Sequence, residues 1–264
     1  MAGSGFGRVV AWNDFTAFPP GTAAVNVPLA GSVSLGGGWG LHGVNEGTLV
    51  ATVDEPGGVI AVTTDTADDD NNFISSGLFS PATGTAVCEF RFKITDSVAS
   101  TRAAAWCGFT ETLAYDTPVM PFETSSTTTT YRGSGGMVGF GFDSDATSIR
   151  WRFGAGDGGA AIATKDENGV AGTAIGIDAE ATITADRYWL FRVELYPNGL
   201  AAGSILDAAS GSKPDWRLVG ETTAALTATD NFHATLGIEN RSGANEVLEV
   251  DYAYAQGYRD WSAD

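Results

Sequence analysis

The densest group of metal-binding atoms is Asp65-Thr66-Ala67-Asp68-Asp69-Asp70-Asn71-Asn72. Carboxylates and amides packed this closely can supply the oxygen ligands that calcium prefers, so Asp65, Asp68, Asp69 and Asp70 are calcium candidates. Asp143 and Asp145 form a second, smaller acidic group. Neither group has a Gly-hinged ligand ladder or a distal bidentate Glu, and an acidic loop is more often simply solvated. No cofactor is therefore expected, with calcium as the exception to test.

Nucleophile chemistry is poorly supplied. The chain has two histidines, His42 and His233, and two cysteines, Cys88 and Cys107. There is no Gly-x-Ser-x-Gly elbow and no His-Glu-x-x-His pair, so ordinary structural histidines are expected. Two cysteines cannot make a disulfide framework, nor a four-ligand zinc site without both distant histidines. Gly36-Gly37-Gly38-Trp39-Gly40 is followed by no strand–helix unit that could cradle phosphate and reads as a turn. Trp39, Trp216 and Trp261 fall in expected loops or near the terminus, where an indole can stack on a sugar ring.

The elements that must position these residues are strands. Gly is abundant at 35 residues, while Lys occurs only at Lys93, Lys165 and Lys213. That balance favours short strands and tight turns over helices. Ala86–Ile94 alternates Cys88, Phe90, Phe92 and Ile94 against Glu89, Arg91 and Lys93, a strand with one buried and one wet face. Arg187–Tyr196 does the same and ends in Pro197-Asn198-Gly199, a strong hairpin signal. Further strands are expected at Val9–Phe15, Thr48–Asp54, Gly58–Asp65, Phe73–Phe79, Ala103–Thr110, Met137–Asp143, Ser148–Phe153, Ala201–Leu206, Phe232–Glu239 and Glu246–Gln256. A turn centred on Ser97 and Val98 would set Cys88 opposite Cys107 across an antiparallel ladder, most simply as two buried thiols. The expected fold is an all-β antiparallel sandwich or jelly roll, with an N-terminal arm over 1–30 and one domain over 31–264.

Two segments stand apart. The arm carries Phe6, Trp12, Phe15 and Phe18, too apolar for a free tail, and should pack on its own domain or on a neighbouring subunit. The stretch 111–136 contains Ser125-Ser126-Thr127-Thr128-Thr129-Thr130 and reads as a long functional or disordered loop whose Thr run could add a strand to a neighbour. Partner contacts are accordingly expected at Phe6, Trp12, Phe15, Phe18, Thr127, Thr128, Thr129 and Tyr131.

Charge excludes whole classes of partner. With 14 basic against 32 acidic side chains, the net charge is −18. Nucleic acid and anionic membrane surfaces would repel such a chain. No secretory leader and no apolar window of membrane-spanning length is seen, so either synthesis and folding in the cytoplasm or a leader lying outside this sequence is expected. The acidic turns Asp65–Asp70, Asp143–Asp145 and Asp166-Glu167 are expected to face solvent, leaving the arm and the Thr-rich loop as binding surfaces.

The succession Ala86–Ile94, Ala104–Thr110 (AAWCGFT), Met137–Phe142 (MVGFGF), Arg187–Gly199 (RYWLFRVELYPNG) and Ile238–Tyr252 (IENRSGANEVLEVDY) resembles a concanavalin-like (lectin/glucanase) jelly roll. It is similar to versions of that fold found in bacteriophage virion proteins. The resemblance implies a non-catalytic virion structural protein, a capsid decoration (cement) protein on the capsid exterior. Its partners would be the major capsid protein and copies of itself, as a homotrimer. The alternative is a carbohydrate-binding lectin-like module, free or virion-displayed; a divergent glycan hydrolase ranks third. Glucanases of this fold carry Glu-x-Asp-x-x-Glu on one strand, a spacing suited to a retaining mechanism. Here Glu249 and Asp251 share a face but Glu246 does not, which predicts a solvated strand face with Asp251 capping a turn, and no enzyme.

Overall fold

The computed structural model describes residues 8–16, 25–26, 32–43, 47–52, 58–95, 102–111, 113, 120–131, 135–172, 176–179, 187–206, 216–227 and 230–258. Strands dominate, and every strand ladder among the described residues is antiparallel. Two large sheets face one another. The 10-stranded sheet is centred on Trp189–Leu195, Ala86–Ile94 and Val247–Tyr258, and the 9-stranded sheet on Met137–Asp143, Ala103–Thr110 and Phe232–Asn240.

Alternation explains the layering. Phe90, Phe92, Phe191 and Trp189 point inward from the larger sheet and meet Phe140, Phe153 and Trp151 from the smaller. Ring centroids lie 4.5 Å apart for Phe140–Phe191 and 4.8 Å for Trp151–Phe191. Burying each such ring stabilises the fold by roughly 1.5–3 kcal/mol, so this aromatic layer is the main adhesive between the sheets.

The cysteine expectation needs correction. Cys88 pairs in register with Val193 and Ala255, whereas Cys107 pairs with Phe140 and Leu236 in the opposite sheet. The strands holding them are packed face to face rather than hydrogen-bonded. Both thiols are free and buried, and burial pushes both well up from the ordinary thiol range.

The described part of the arm is a working strand. Arg8–Asn13 pairs with the outer half of Val247–Tyr258, Arg8 opposite Tyr258 through Asn13 opposite Ala253. It stops short of the expected Phe15, because Phe15 adopts a left-handed backbone (φ 54°) and its N–H donates to Asn13 Oδ1 at 2.8 Å. The expected Gly36–Gly40 turn shrinks to Gly37-Gly38 between the strands Val33–Gly36 and Trp39–Gly43, so Trp39 is a strand residue rather than a loop one. The turn lies directly beneath the arm strand: a Cβ on Gly37 would sit 2.2 Å from the Trp12 carbonyl oxygen, so only glycine permits the approach.

The Thr-rich stretch also finds its partner within the chain. Phe122–Ser125 pairs with Thr128–Tyr131 as a hairpin. It lies on the outer face of the smaller sheet, where Phe122 and Tyr131 cover Trp106, Phe73 and Met137. A Cβ on Gly141 would lie 1.8 Å from a Phe122 ring carbon. Bare glycine backbone therefore forms the floor on which the hairpin rests. Finally, the second strand of the Met137 hairpin is Arg152–Asp157 rather than Ser148–Phe153, with Trp151 and Ile149 still directed at the core.

Candidate functional site

Two regions concentrate the chemistry. The first is one end of the sandwich, where the two acidic groups seen in the sequence converge on Arg241. Its guanidinium reaches Asp69 Oδ1 at 2.8 Å, Glu239 Oε1 at 2.7 Å and Asp143 Oδ2 at 2.9 Å, with Glu123 Oε1 at 4.0 Å. The Arg241 side chain is 3% exposed, and those of Asp143 and Glu239 are 0% and 2%. Burial works against the guanidinium charge, but Glu239 and Asp143 outweigh it and hold Arg241 protonated beyond its ordinary range. Asp143 Oδ2 also accepts the Thr124 N–H at 2.9 Å and Oδ1 accepts the Asp145 N–H at 3.0 Å.

This end overturns the solvated-turn expectation for two residues. Asp70 and Asp143 are each 1% exposed. Asp70 Oδ2 accepts the Ala67 N–H at 3.2 Å, and Asn240 Nδ2 donates to the Asp65 and Ala67 carbonyls. Among the described residues, no three His, Cys, Asp or Glu side chains form a group that could hold a metal ion. Asp65, Asp68, Asp69 and Asp70, the calcium candidates, thus belong to a loop whose described ion pair is between Asp69 and Arg241.

The second region is the outer face of the larger sheet. Trp12 is 49% exposed, stacked on Tyr252 with ring centroids 5.0 Å apart and edge-on to Tyr254 at 6.0 Å. Register continues this row as Trp12, Tyr254, Glu89, Arg192. Arg91 pairs with Asp251 and lies 4.0 Å over the Tyr188 ring, while Lys93 pairs with Glu249 at 3.0 Å. Arg192 joins Glu89 at 2.9 Å and Glu194 at 2.6 Å, and Lys165 meets Glu221 at 3.1 Å. The Tyr196 hydroxyl donates to Glu194 and is pushed up to about 12 by burial and that carboxylate. Burial and the Glu89 charge likewise raise Tyr252.

Counting outward strand residues, Arg8, Arg91, Lys93, Lys165 and Arg192 stand against Glu89, Glu194, Glu221, Glu249 and Asp251. The face is neutral, so the whole net charge of −18 lies elsewhere. Asp251 occupies a β-bulge on this face rather than capping a turn, and Glu246 is fully buried, facing Arg102 Nε at 3.4 Å.

Other expected site residues scatter. Phe15 is fully buried in the core of its own domain. Thr127 and Thr128 are exposed at the hairpin tip, Thr129 is half-buried, and Tyr131 is buried against Gly154 and Gly156. Phe6, Phe18 and Trp261 lie outside the described residues. Trp39 is buried, whereas Trp216 is half-buried with the Arg192 guanidinium 5.9 Å from its ring. His42 and His233 are buried in strands; His42 Nε2 is 2.8 Å from Ser75 Oγ, and His233 Nδ1 is 2.9 Å from the Ser76 carbonyl.

This architecture matches known structures over nearly its full length. A protein of unknown function from Shewanella oneidensis MR-1 superposes with a TM-score of 0.55 at 12% identity, over 95% of this chain and 87% of that one. The Emp47p carbohydrate recognition domain gives 0.51 at 10% identity, over 89% and 95%. The fold is a lectin-like, concanavalin-type jelly roll. At these identities the likeness concerns the fold alone. No protein-family model matches the sequence, and no curated protein matches it.

Proposed function

We propose that this lectin-like sandwich is a non-catalytic carbohydrate-binding module whose contact surface is the outer face of the larger sheet. The observation that carries the reading is the half-exposed Trp12, held by Tyr252 and Tyr254, in a neutral setting of paired charges. Stacked aromatics offer an apolar platform for the C–H face of a sugar ring, and the Arg–carboxylate pairs beside them offer fixed donors and acceptors for hydroxyls. Charge selects a neutral glycan: an anionic one would meet the repulsion of a −18 protein. The carbohydrate recognition domain among the similar structures supports this choice of ligand class.

The test is a glycan array on the full chain, followed by titration of any hit against Trp12→Ala. Saturable binding to neutral glycans, weakened about tenfold or more by the substitution, is expected. Binding that ignores Trp12 sinks this surface. The capsid-decoration reading uses the same arm, but Phe15 is buried and the Thr-rich segment is paired with its own hairpin strand. Binding to purified virus heads in place of glycans would favour that reading.

A further inference from the structure

We propose that the Arg241 guanidinium is the resident cation of the acidic end, setting the loops there as a bound divalent ion would and making that end independent of calcium. The inference does not depend on the glycan reading.

Three ion-pair partners come from three elements: Asp69 from the loop before Asn71–Phe79, Asp143 from the end of Met137–Asp143, and Glu239 from Phe232–Asn240. The planar guanidinium fork donates hydrogen bonds to Asp69 Oδ1 at 2.8 Å and Asp143 Oδ2 at 2.9 Å, and Glu239 Oε1 completes the set as an ion pair at 2.7 Å. The acceptors are also committed in direction. Asp143 receives two backbone N–H groups besides Arg241, and Glu239 Oε2 receives Asn71 Nδ2 at 3.2 Å. Asp69 holds a left-handed backbone, φ 66°, while it makes its pair. Calcium would need six to eight oxygens at roughly 2.3–2.6 Å around one point, and the guanidinium fills that point.

The backbone links the same segments. The Asp69 N–H donates to the Asn240 carbonyl, and the Asn240 N–H donates to Asp70. Through Asp143 and Thr124 the arginine also anchors the hairpin that covers the smaller sheet. One residue thereby couples the acidic loop, two core strands and the hairpin.

The experiment uses the full chain, with terbium as the probe for an oxygen-ligand site. Wild-type melting temperature should be the same in EDTA and in excess calcium. Arg241→Ala leaves the carboxylates without their cation and should bind terbium, read by sensitised luminescence, at least tenfold more tightly than wild type. Arg241→Lys keeps the charge without the fork and should melt lower while staying dark with terbium. Should the alanine variant fail to fold, the lysine variant and the wild-type EDTA comparison carry the test. A wild-type protein that loses melting temperature in EDTA, or equal terbium binding by wild type and variant, overturns the proposal.

Discussion

The acidic end and the aromatic face solve opposite problems with the same side chains. At the end, one buried arginine is surrounded by more carboxylate than it can neutralise. On the face, each cation but Arg8 has a carboxylate partner, and the charge sums to nothing. Buried pairs of the first kind fix geometry, because removing one member strands the other without water. Half-exposed pairs of the second kind contribute little to stability and leave a surface that repels no neutral partner. The lesson is that the net charge of this chain says little about any one surface.

The largest expected effect breaks the acidic end. Arg241→Met should cost about 3–5 kcal/mol, a drop in melting temperature on the order of 10 °C by calorimetry. Next, Trp12→Ala should lose most glycan affinity while shifting the melting temperature far less, because half its surface is already in water. Tyr252→Phe removes a hydroxyl hydrogen-bonded to Glu89 and should weaken glycan binding a few-fold in the same titration. Glycan affinity measured at low and high salt should change less than about twofold, since the face is neutral and its ligand uncharged.

The smallest effect sharpens the electrostatic contrast. Desolvation and the neighbouring Asp143 raise the Asp145 carboxyl above its ordinary value. A carboxyl raised in the folded state costs stability when ionised, and the cost disappears as pH falls through its folded value. Asp145→Asn should therefore melt slightly above wild type at pH 7 and converge with it in acid. A lower melting temperature at pH 7 would show that the carboxylate is net favourable.

Legibility in the sequence followed period and distance. The strands Ala86–Ile94 and Trp189–Leu195 were plain from alternation, and the Tyr196–Leu200 turn formed where Asn-Gly stood. Alternation names the face of a strand and not its sheet, which is why Cys88 and Cys107 read as ladder partners instead of lying in opposed layers. The acidic loop was visible as a cluster of oxygens, but its cation lies 172 residues away in an unremarkable Arg241-Ser242-Gly243 turn. Only the tertiary fold could pair them. Trp12 stood out by type and context; its companions did not. The signal was present in two tyrosines, Tyr252 and Tyr254, on the wet side of an alternating strand, a place where charge is the commoner choice.

The strand Val247–Tyr258 is the central beam of the 10-stranded sheet: it takes Ala86–Ile94 on one side and both Ile60–Thr63 and Arg8–Asn13 on the other. During synthesis the earlier strands of this sheet must wait for it with their edges open. Completing this sheet requires residues as far apart as Arg8 and Tyr258 to meet, a non-local pairing that carries a large loop-closure entropy. Refolding limited by this non-local pairing is the expected kinetic consequence, read by stopped-flow fluorescence on the full chain.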